Sequence, residues 1–188
     1  MKTRIVILSL SAIMLFTACE PEADLYRNFH LKEGEHFASP RLVESLQSSR
    51  LAFYAKFDES CRYIFEETSF QDCKNKLLGF SDCNNMHHEN SARFTWQWFN
   101  NQMEIYAYCY VNGERIEKFI GVVELEKENR YEIELTPDAY LFKLNDQESV
   151  SITRSATCTK GMYYMLWPYF GGTLPAPHDM HLSIKIIY

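Results

Sequence analysis

The sequence predicts an all-β protein, an antiparallel β-sandwich with a jelly-roll-like arrangement. From Ser91 onward, short runs rich in Val, Ile, Thr and aromatic residues follow one another, and dipeptides typical of tight turns separate them. Strands at such regular short spacing are typical of sandwiches and barrels. The predicted strands cover 51–57, 91–99, 102–111, 114–124, 130–136, 139–145, 148–154, 161–168 and 179–188.

Other segments carry weaker patterns. Proline is favoured in the first turn of a helix, so Ser39-Pro40 predicts a short helix to about Ser48. Residues 68–90 are predicted to form a long structured loop. The 188 residues fit one domain with appendages, and we place that domain at 36–188.

Residues 1–18 have the pattern of a signal peptide. Lys2 and Arg4 precede an apolar run over 5–16, which is shorter than the roughly 20 residues of a membrane-spanning helix. The segment Leu15-Phe16-Thr17-Ala18-Cys19 resembles the lipobox of bacterial lipoproteins. That resemblance implies removal of residues 1–18 and attachment of diacylglycerol to the thiol of Cys19, with the membrane as a partner. A plain secretory peptide is the alternative.

Residues 19–35 are polar and mixed in charge, and we interpret them as a tether. Glu20, Glu22 and Asp24 follow Cys19, and an acidic cluster there resembles the surface-export signal of Bacteroidota lipoproteins. The resemblance implies an outer-membrane lipoprotein displayed at the cell surface. A solvated tether without an export role is the alternative.

The charge of the chain excludes one class of partner. Its formal net charge is -6, and loss of Lys2 and Arg4 with the signal peptide would make it -8. A negative protein repels polyanions at long range, so we expect no nucleic-acid partner. By the same argument, the charge disfavours a polyuronate ligand.

Two hairpins predict a shared register. The turns Asn100-Asn101 and Asn112-Gly113 connect three long strands. Because side chains alternate between the faces of a strand, one face collects apolar residues and forms the core. This core face consists of Phe94, Trp96, Trp98, Met103, Ile105, Ala107, Cys109, Ile116 and Ile120. The opposite face, here called the tyrosine face, consists of Arg93, Thr95, Gln97, Glu104, Tyr106, Tyr108, Tyr110, Arg115 and Glu117.

The tyrosine face predicts a ligand with both apolar and polar surfaces. Tyrosine rings suit the C–H face of a sugar, and arginine, glutamine and glutamate side chains add directed hydrogen bonds. The predicted ligand-binding residues are Arg93, Thr95, Gln97, Glu104, Tyr106, Tyr108 and Arg115, with His88 and His178 at the rim. The alternative is a second layer of packing in which tyrosines and ion pairs satisfy one another.

An enzyme is the second functional interpretation. Arg93, Gln97, His88 and Tyr108 are residue types that resemble the site of alginate-lyase-type jelly rolls. The resemblance implies that arginine and glutamine neutralise a uronate while histidine and tyrosine move protons. The paired-arginine and Gln-x-His motifs of that family are absent here. We therefore predict non-catalytic glycan binding, with a polysaccharide-degrading enzyme or an accessory lipoprotein binding a protein partner as alternatives.

The segment 167–179 is rich in aromatic residues, glycine and proline, and it is predicted to form a rigid rim. With the strand 90–96, it resembles uncharacterised Bacteroidota β-sandwich lipoproteins over roughly 50–188, without an established activity. Asp179, at the head of the last strand, resembles an acid that helps to hold a structural Ca²⁺ in carbohydrate-binding jelly rolls. Asp58 is the other acid considered for that site.

An exported protein can form disulfides, and five cysteines remain after Cys19. The parity of its strand places Cys109 in the core as a free thiol. The preferred pairing of the other four is Cys61–Cys73 with Cys83–Cys158. A Cys73–Cys83 bridge is a near rival, because the sequence alone does not determine connectivity.

Overall fold

Thirteen strands form two antiparallel sheets in the computed structural model, which describes residues 26–158 and 163–187. The strands are β1 (Arg27–Leu31), β2 (Ala38–Ser39), β3 (Ser45–Leu46), β4 (Arg50–Phe57), β5 (Asn75–Ser81), β6 (Ser91–Phe99), β7 (Gln102–Val111), β8 (Glu114–Val123), β9 (Asn129–Leu135), β10 (Ala139–Leu144), β11 (Gln147–Thr153), β12 (Tyr163–Leu166) and β13 (Met180–Ile187). The seven-stranded sheet has the order β11-β10-β9-β4-β13-β1-β2. The six-stranded sheet has the order β3-β12-β5-β6-β7-β8.

The core lies between the two sheets. Phe53 of β4 packs edge-on against Phe94 of β6, with ring centroids 5.9 Å apart, and Phe57 lies 5.2 Å from Trp96. These rings are fully buried, and they unite both sheets in one apolar cluster. The predicted antiparallel β-sandwich is confirmed, and the strands predicted between 91 and 154 agree with the structure to within a residue at each end.

The predicted helix from Ser39-Pro40 to about Ser48 is wrong. The segment is extended and contributes the short strands β2 and β3, which pair with β1 and β12 at the margins of the two sheets. Leu46 is buried while Val43 is exposed. Pairing with the sheet edges therefore overrides the weak helix signal of this segment.

The predicted loop at 68–90 contains a strand. β5 lies between β12 and β6, and the residues Leu77–Ser81 are all buried. A register shift between Lys76 and Leu78 places Leu77 and Leu78 next to each other in the interior. This bulge breaks the period-two pattern by which a strand is recognised in a sequence.

The predicted boundary at residue 36 is also wrong. β1 lies inside the predicted tether and pairs along its whole length with β13, with Phe29 opposite Leu182. The folded domain therefore starts no later than Arg27. The predicted signal peptide and Cys19 lie outside the described residues. In the described part of the chain, no helix is long and apolar enough to cross a membrane.

One predicted disulfide is present and the other is not. Cys83 and Cys158 are bonded, and Cys109 is a buried free thiol, as predicted. The predicted Cys61–Cys73 bridge is wrong, because both cysteines are free. The Cys61 thiol is buried and donates to the His181 carbonyl of β13 at 3.2 Å, whereas Cys73 leads into β5 of the other sheet.

Candidate functional site

The tyrosine face lies on the six-stranded sheet and points away from the core. Across β6 and β7, Arg93 is opposite Tyr108 and Thr95 is opposite Tyr106, as the predicted register requires. The predicted pair Tyr108 and Glu117 on β7 and β8 is present as well. Phe94 and Trp96 belong to the core cluster, but the three tyrosines of the face do not. The predicted division between the two faces is therefore confirmed.

One end of the tyrosine face is a closed hydrogen-bond cluster around Glu104. Its carboxylate accepts bonds from Gln97 Nε2 and Tyr106 Oη, both at 2.7 Å, and from Gln102 Nε2 at 3.0 Å. Burial opposes ionisation of this carboxyl, but the hydrogen bonds and the Lys74 charge outweigh it and lower its pKa. Glu104 is therefore an ionised and fully engaged acid at neutral pH.

Lys74 completes this end of the face. Its Nζ donates to Gln97 Oε1 at 2.8 Å, lies 4.3 Å from the centroid of the Tyr106 ring and pairs with Asp72. Phe119 of β8 packs edge-on against Tyr106 with its own ring about half exposed. At this end, the packing interpretation of the face describes the contacts well.

Arg93, at the other end of the face, is a buried cation that has no counterion among the residues the structure describes. Arg93 is 7% exposed, and its Nε is a buried donor without a hydrogen-bond partner among the described residues. Its guanidinium carbon lies 5.2 Å from the centroid of the Tyr108 ring. None of the ion pairs among the described residues includes this arginine. Burial of a charge without a counterion destabilises the folded state unless an anion pairs with it.

A glycine makes room for this arginine. Gly79 of β5 is the register partner of Arg93. A Cβ atom added at Gly79 would lie 2.5 Å from Arg93 Cγ, closer than carbon atoms can approach. The stem of the arginine therefore passes over the bare backbone of β5. The sequence shows the glycine but not its partner on the neighbouring strand.

Lys76 of β5 places a second cation beside the first. Its Nζ donates to the carbonyl oxygens of Lys74 and Gly171, at 2.9 and 2.8 Å, and it lies 5.3 Å from the centroid of the Tyr108 ring. Burial and the nearby charge of Arg93 lower the pKa of Lys76 to about 8. Sequence analysis missed Lys74 and Lys76 because β5 was predicted to be a loop.

The loop between β5 and β6 brings two histidines to the same end. The His88 ring lies 5.3 Å from that of Tyr110, and the His87 ring lies 4.1 Å from that of His88. Burial, and to a smaller extent the positive charge of Arg93, lower the pKa of His87 to about 4, so its ring is neutral at pH 7. The Cys83–Cys158 disulfide fixes this loop to the chain that follows β11.

Thr95, Arg115 and His178, which were also predicted as site residues, lie in three different environments. Thr95 is fully buried between its neighbours, and Arg115 is exposed and pairs with Glu117 at 3.2 Å. His178, predicted at the rim, instead lies with its Nε2 2.8 Å from the Ser60 carbonyl oxygen. Ser60 belongs to the 3₁₀ turn after β4, which packs against β13 of the seven-stranded sheet. The structure therefore gives His178 a contact in the other sheet.

Asp179 has partners from the protein itself. Its carboxylate accepts the backbone N–H of Glu33 at 2.8 Å and lies 3.1 Å from His30 Nε2. Asp58 caps its own 3₁₀ turn through Ser60 N. Within the described ranges, Asp179 belongs to no group of three or more potential metal ligands, so the calcium site stays a prediction.

Comparison with known proteins identifies the architecture. No family model and no curated protein matches the chain. Among solved structures, it is similar to alginate lyase AlyC3, with 10% identity, a TM-score of 0.59, and coverage of 85% of this chain and 73% of the other. It is also similar to the catalytic domain of an endo-1,3-β-glucanase (laminarinase) from Thermotoga petrophila RKU-1, with 10% identity, a TM-score of 0.58, and coverage of 85% and 74%.

The chain has a jelly-roll β-sandwich fold. A further similar structure, LamAcat from Zobellia galactanivorans, has 12% identity and a TM-score of 0.51, and covers 86% of this chain and 74% of the other. At these identities the likeness establishes the fold alone, since one fold serves many functions.

Proposed function

We propose that the protein binds an anionic glycan on the tyrosine face, with the acidic group of the glycan held by Arg93. The buried guanidinium without a counterion carries this proposal. A carboxylate or sulfate bound there would supply the missing charge and acceptors. The partly exposed ring of Tyr110 would contact the C–H surface of the sugar, while the buried ring of Tyr108 supports Arg93 from below.

The negative net charge does not oppose such a ligand at contact distance. Exposed charges are screened beyond about 8 Å at physiological ionic strength, so a bound anion responds mainly to its immediate neighbours. The charged side chains there are Arg93, Lys76, Arg115 and Glu117, so cations prevail. The net charge of the protein therefore opposes the distant approach of a polyuronate and not its bound state.

Cleavage of the glycan by elimination is the second candidate function. It is favoured by the neutral imidazole of His87 and the weakly basic amine of Lys76, because both lie near the cation that would neutralise the acidic group. The solved structures of similar fold include alginate lyases and glucanases. A glycosidase pair of Glu104 and Glu117 is less suitable, because the first is held by three hydrogen bonds and the second pairs with Arg115.

Binding is tested on a panel of uronate-containing, sulfated and neutral polysaccharides. We expect wild type to retain acidic glycans and Arg93→Met to lose at least about tenfold in affinity, since hydrogen-bonded charge pairs contribute on the order of 1.5–3 kcal/mol. Arg50→Met, which alters an exposed arginine of the other sheet, should bind like wild type. A folded Arg93→Met protein with unchanged binding, or a panel without any retained acidic glycan, would refute the proposal.

The pH dependence of binding gives a second readout. Lys76 is protonated below a pKa of about 8, and an anion favours the protonated form. Affinity should therefore fall as the pH rises through 8, and Lys76→Met should lack this step. Elimination would add new absorbance from unsaturated products during incubation with the same polysaccharides. Absence of that signal across the panel removes the enzyme candidate.

We also propose that residues 1–18 are a signal peptide and that lipid on Cys19 anchors the domain to the outer membrane, with display at the cell surface. The lipobox-like segment before Cys19 and the acidic residues after it support this placement. In cells that make the full chain, the wild-type protein should enter the detergent phase on phase separation and Cys19→Ser the aqueous phase. Equal partitioning of the two proteins would contradict the anchor.

A further inference from the structure

The two ends of the tyrosine face carry opposite charge. Around Arg93, the charged side chains are Lys76, Arg115 and Glu117, so cations prevail. Around Glu104, they are Lys74 and Asp72, so carboxylates prevail. Contacts within the protein produce this asymmetry.

The two ends are separated along the strand direction. Gln97, which bonds to Glu104, lies four residues beyond Arg93 on β6, and both side chains belong to the same face. Four residues of a strand span roughly 13 Å. A glycan lying along β6 would therefore place different sugar residues at the two ends.

The acidic end cannot easily change its charge. Glu104 is 7% exposed, and its two oxygens accept three side-chain hydrogen bonds. Protonation would weaken those bonds, and low exposure reduces screening of the charge by salt. A second anionic group placed there would meet a fixed like charge. Phe119 and Tyr106 instead offer aromatic surface to an uncharged sugar.

We infer that the tyrosine face recognises a glycan in which an acidic residue is followed by uncharged residues, and that it discriminates against a run of consecutive uronates. This inference rests on the proposed function. Arg93 selects the acidic residue, and Glu104 rejects a second acidic residue further along the same chain. The preferred class of ligand is a polysaccharide in which acidic and uncharged sugars alternate.

The test compares two sets of oligosaccharides of equal length. Hyaluronan and chondroitin fragments alternate a uronate with an uncharged or sulfated amino sugar, while oligomannuronate, oligoguluronate and oligogalacturonate are runs of uronates. Wild type should bind at least one unsulfated alternating oligosaccharide about tenfold more tightly than every uronate run, because like charges at an interface disfavour binding by kcal/mol amounts. Glu104→Gln should tighten binding of the uronate runs and reduce this ratio.

Glu134→Gln is the matched control, because it removes an acid of the seven-stranded sheet that pairs with Lys143. It should leave the ratio unchanged, and melting temperatures confirm that both variants are folded. The inference would be overturned if the two sets bound equally well, or if Glu104→Gln left the ratio of affinities unchanged. The proposed function would still stand in either case, provided that binding is lost in Arg93→Met. Failure of both sets to bind would overturn the two together.

Discussion

At the scale of single residues, Arg93 differs most from what its sequence context predicts. An arginine on the polar face of a strand ordinarily extends into water. Here it is buried beside Lys76, and the bare backbone of Gly79 gives its stem a place to lie. Burial of a charge without a counterion opposes folding, and perturbed charged groups of this kind are frequent at functional sites.

Gly79→Ala tests this packing. The new methyl group would collide with Arg93 Cγ and with the backbone of β6, so we expect the free energy of unfolding to fall by about 1–3 kcal/mol or more. Gly172→Ala is the control, because a Cβ there meets nothing within 4 Å, and its effect should stay within about 0.5 kcal/mol. Urea unfolding measures both, and equal stabilities would contradict the close approach.

At the scale of elements, β5 and the loop after it assemble the cationic end. β5 supplies Lys76 and Gly79, and the loop supplies His87 and His88. The loop is exposed over most of its length and is fixed by the Cys83–Cys158 bond to the segment after β11. The disulfide therefore adds a covalent restraint to the hydrogen bonds that hold the loop.

Removal of the Cys83–Cys158 disulfide should destabilise the folded protein. The bond joins residues 75 positions apart, so Cys83→Ser with Cys158→Ser should lower the free energy of unfolding by roughly 2–5 kcal/mol. Cys73→Ser alters a free, half-buried thiol and should change stability by less than about 1 kcal/mol. Peptide mapping without reduction should find the Cys83–Cys158 bond. A bridge that involves Cys61 or Cys73 would contradict the structure.

At the scale of the whole molecule, one buried ion pair joins the two sheets next to the disulfide. Asp82, at the end of β5, accepts from Arg154 Nε at 2.6 Å and Nη2 at 3.0 Å, and from Tyr140 Oη of β10 at 2.7 Å. Asp82 is fully buried, and Arg154 follows β11 of the other sheet. The pair therefore holds the sheets in register at the end where the histidine loop begins.

Asp82→Ala would remove the carboxylate that pairs with the buried charge of Arg154. We expect a loss of about 3–5 kcal/mol in the free energy of unfolding. Glu59→Ala breaks an exposed pair with Arg62 and should cost about 0–1 kcal/mol. Chemical denaturation of both variants checks the difference. If the two losses were equal, Asp82 and Arg154 would be solvated in the native protein.

The sequence predicted the parts of the molecule that depend on local alternation and turn chemistry. The hairpins of β6, β7 and β8 and the register of β6 with β7 were correct, because a residue's side on a strand depends on counting from a known turn. The register of β7 with β8 was correct from Val111 to Tyr106, and a bulge then shifts it so that Ile105 lies opposite Gly121. The segments 39–48 and 68–90 were wrong, because edge pairing and a bulge leave no regular period.

The sequence by itself thus predicted the residues of the tyrosine face. It also predicted the Cys83–Cys158 bond, but only as one of several possible pairings. Only the tertiary structure decided that Glu104 has its hydrogen bonds from the protein while Arg93 meets no counterion in the described part of the chain. It also decided that Lys76 joins Arg93 and that His178 does not join the face. The physical reason is that electrostatic energies depend on distance and solvent exposure across neighbouring strands, and residues far apart in sequence set both.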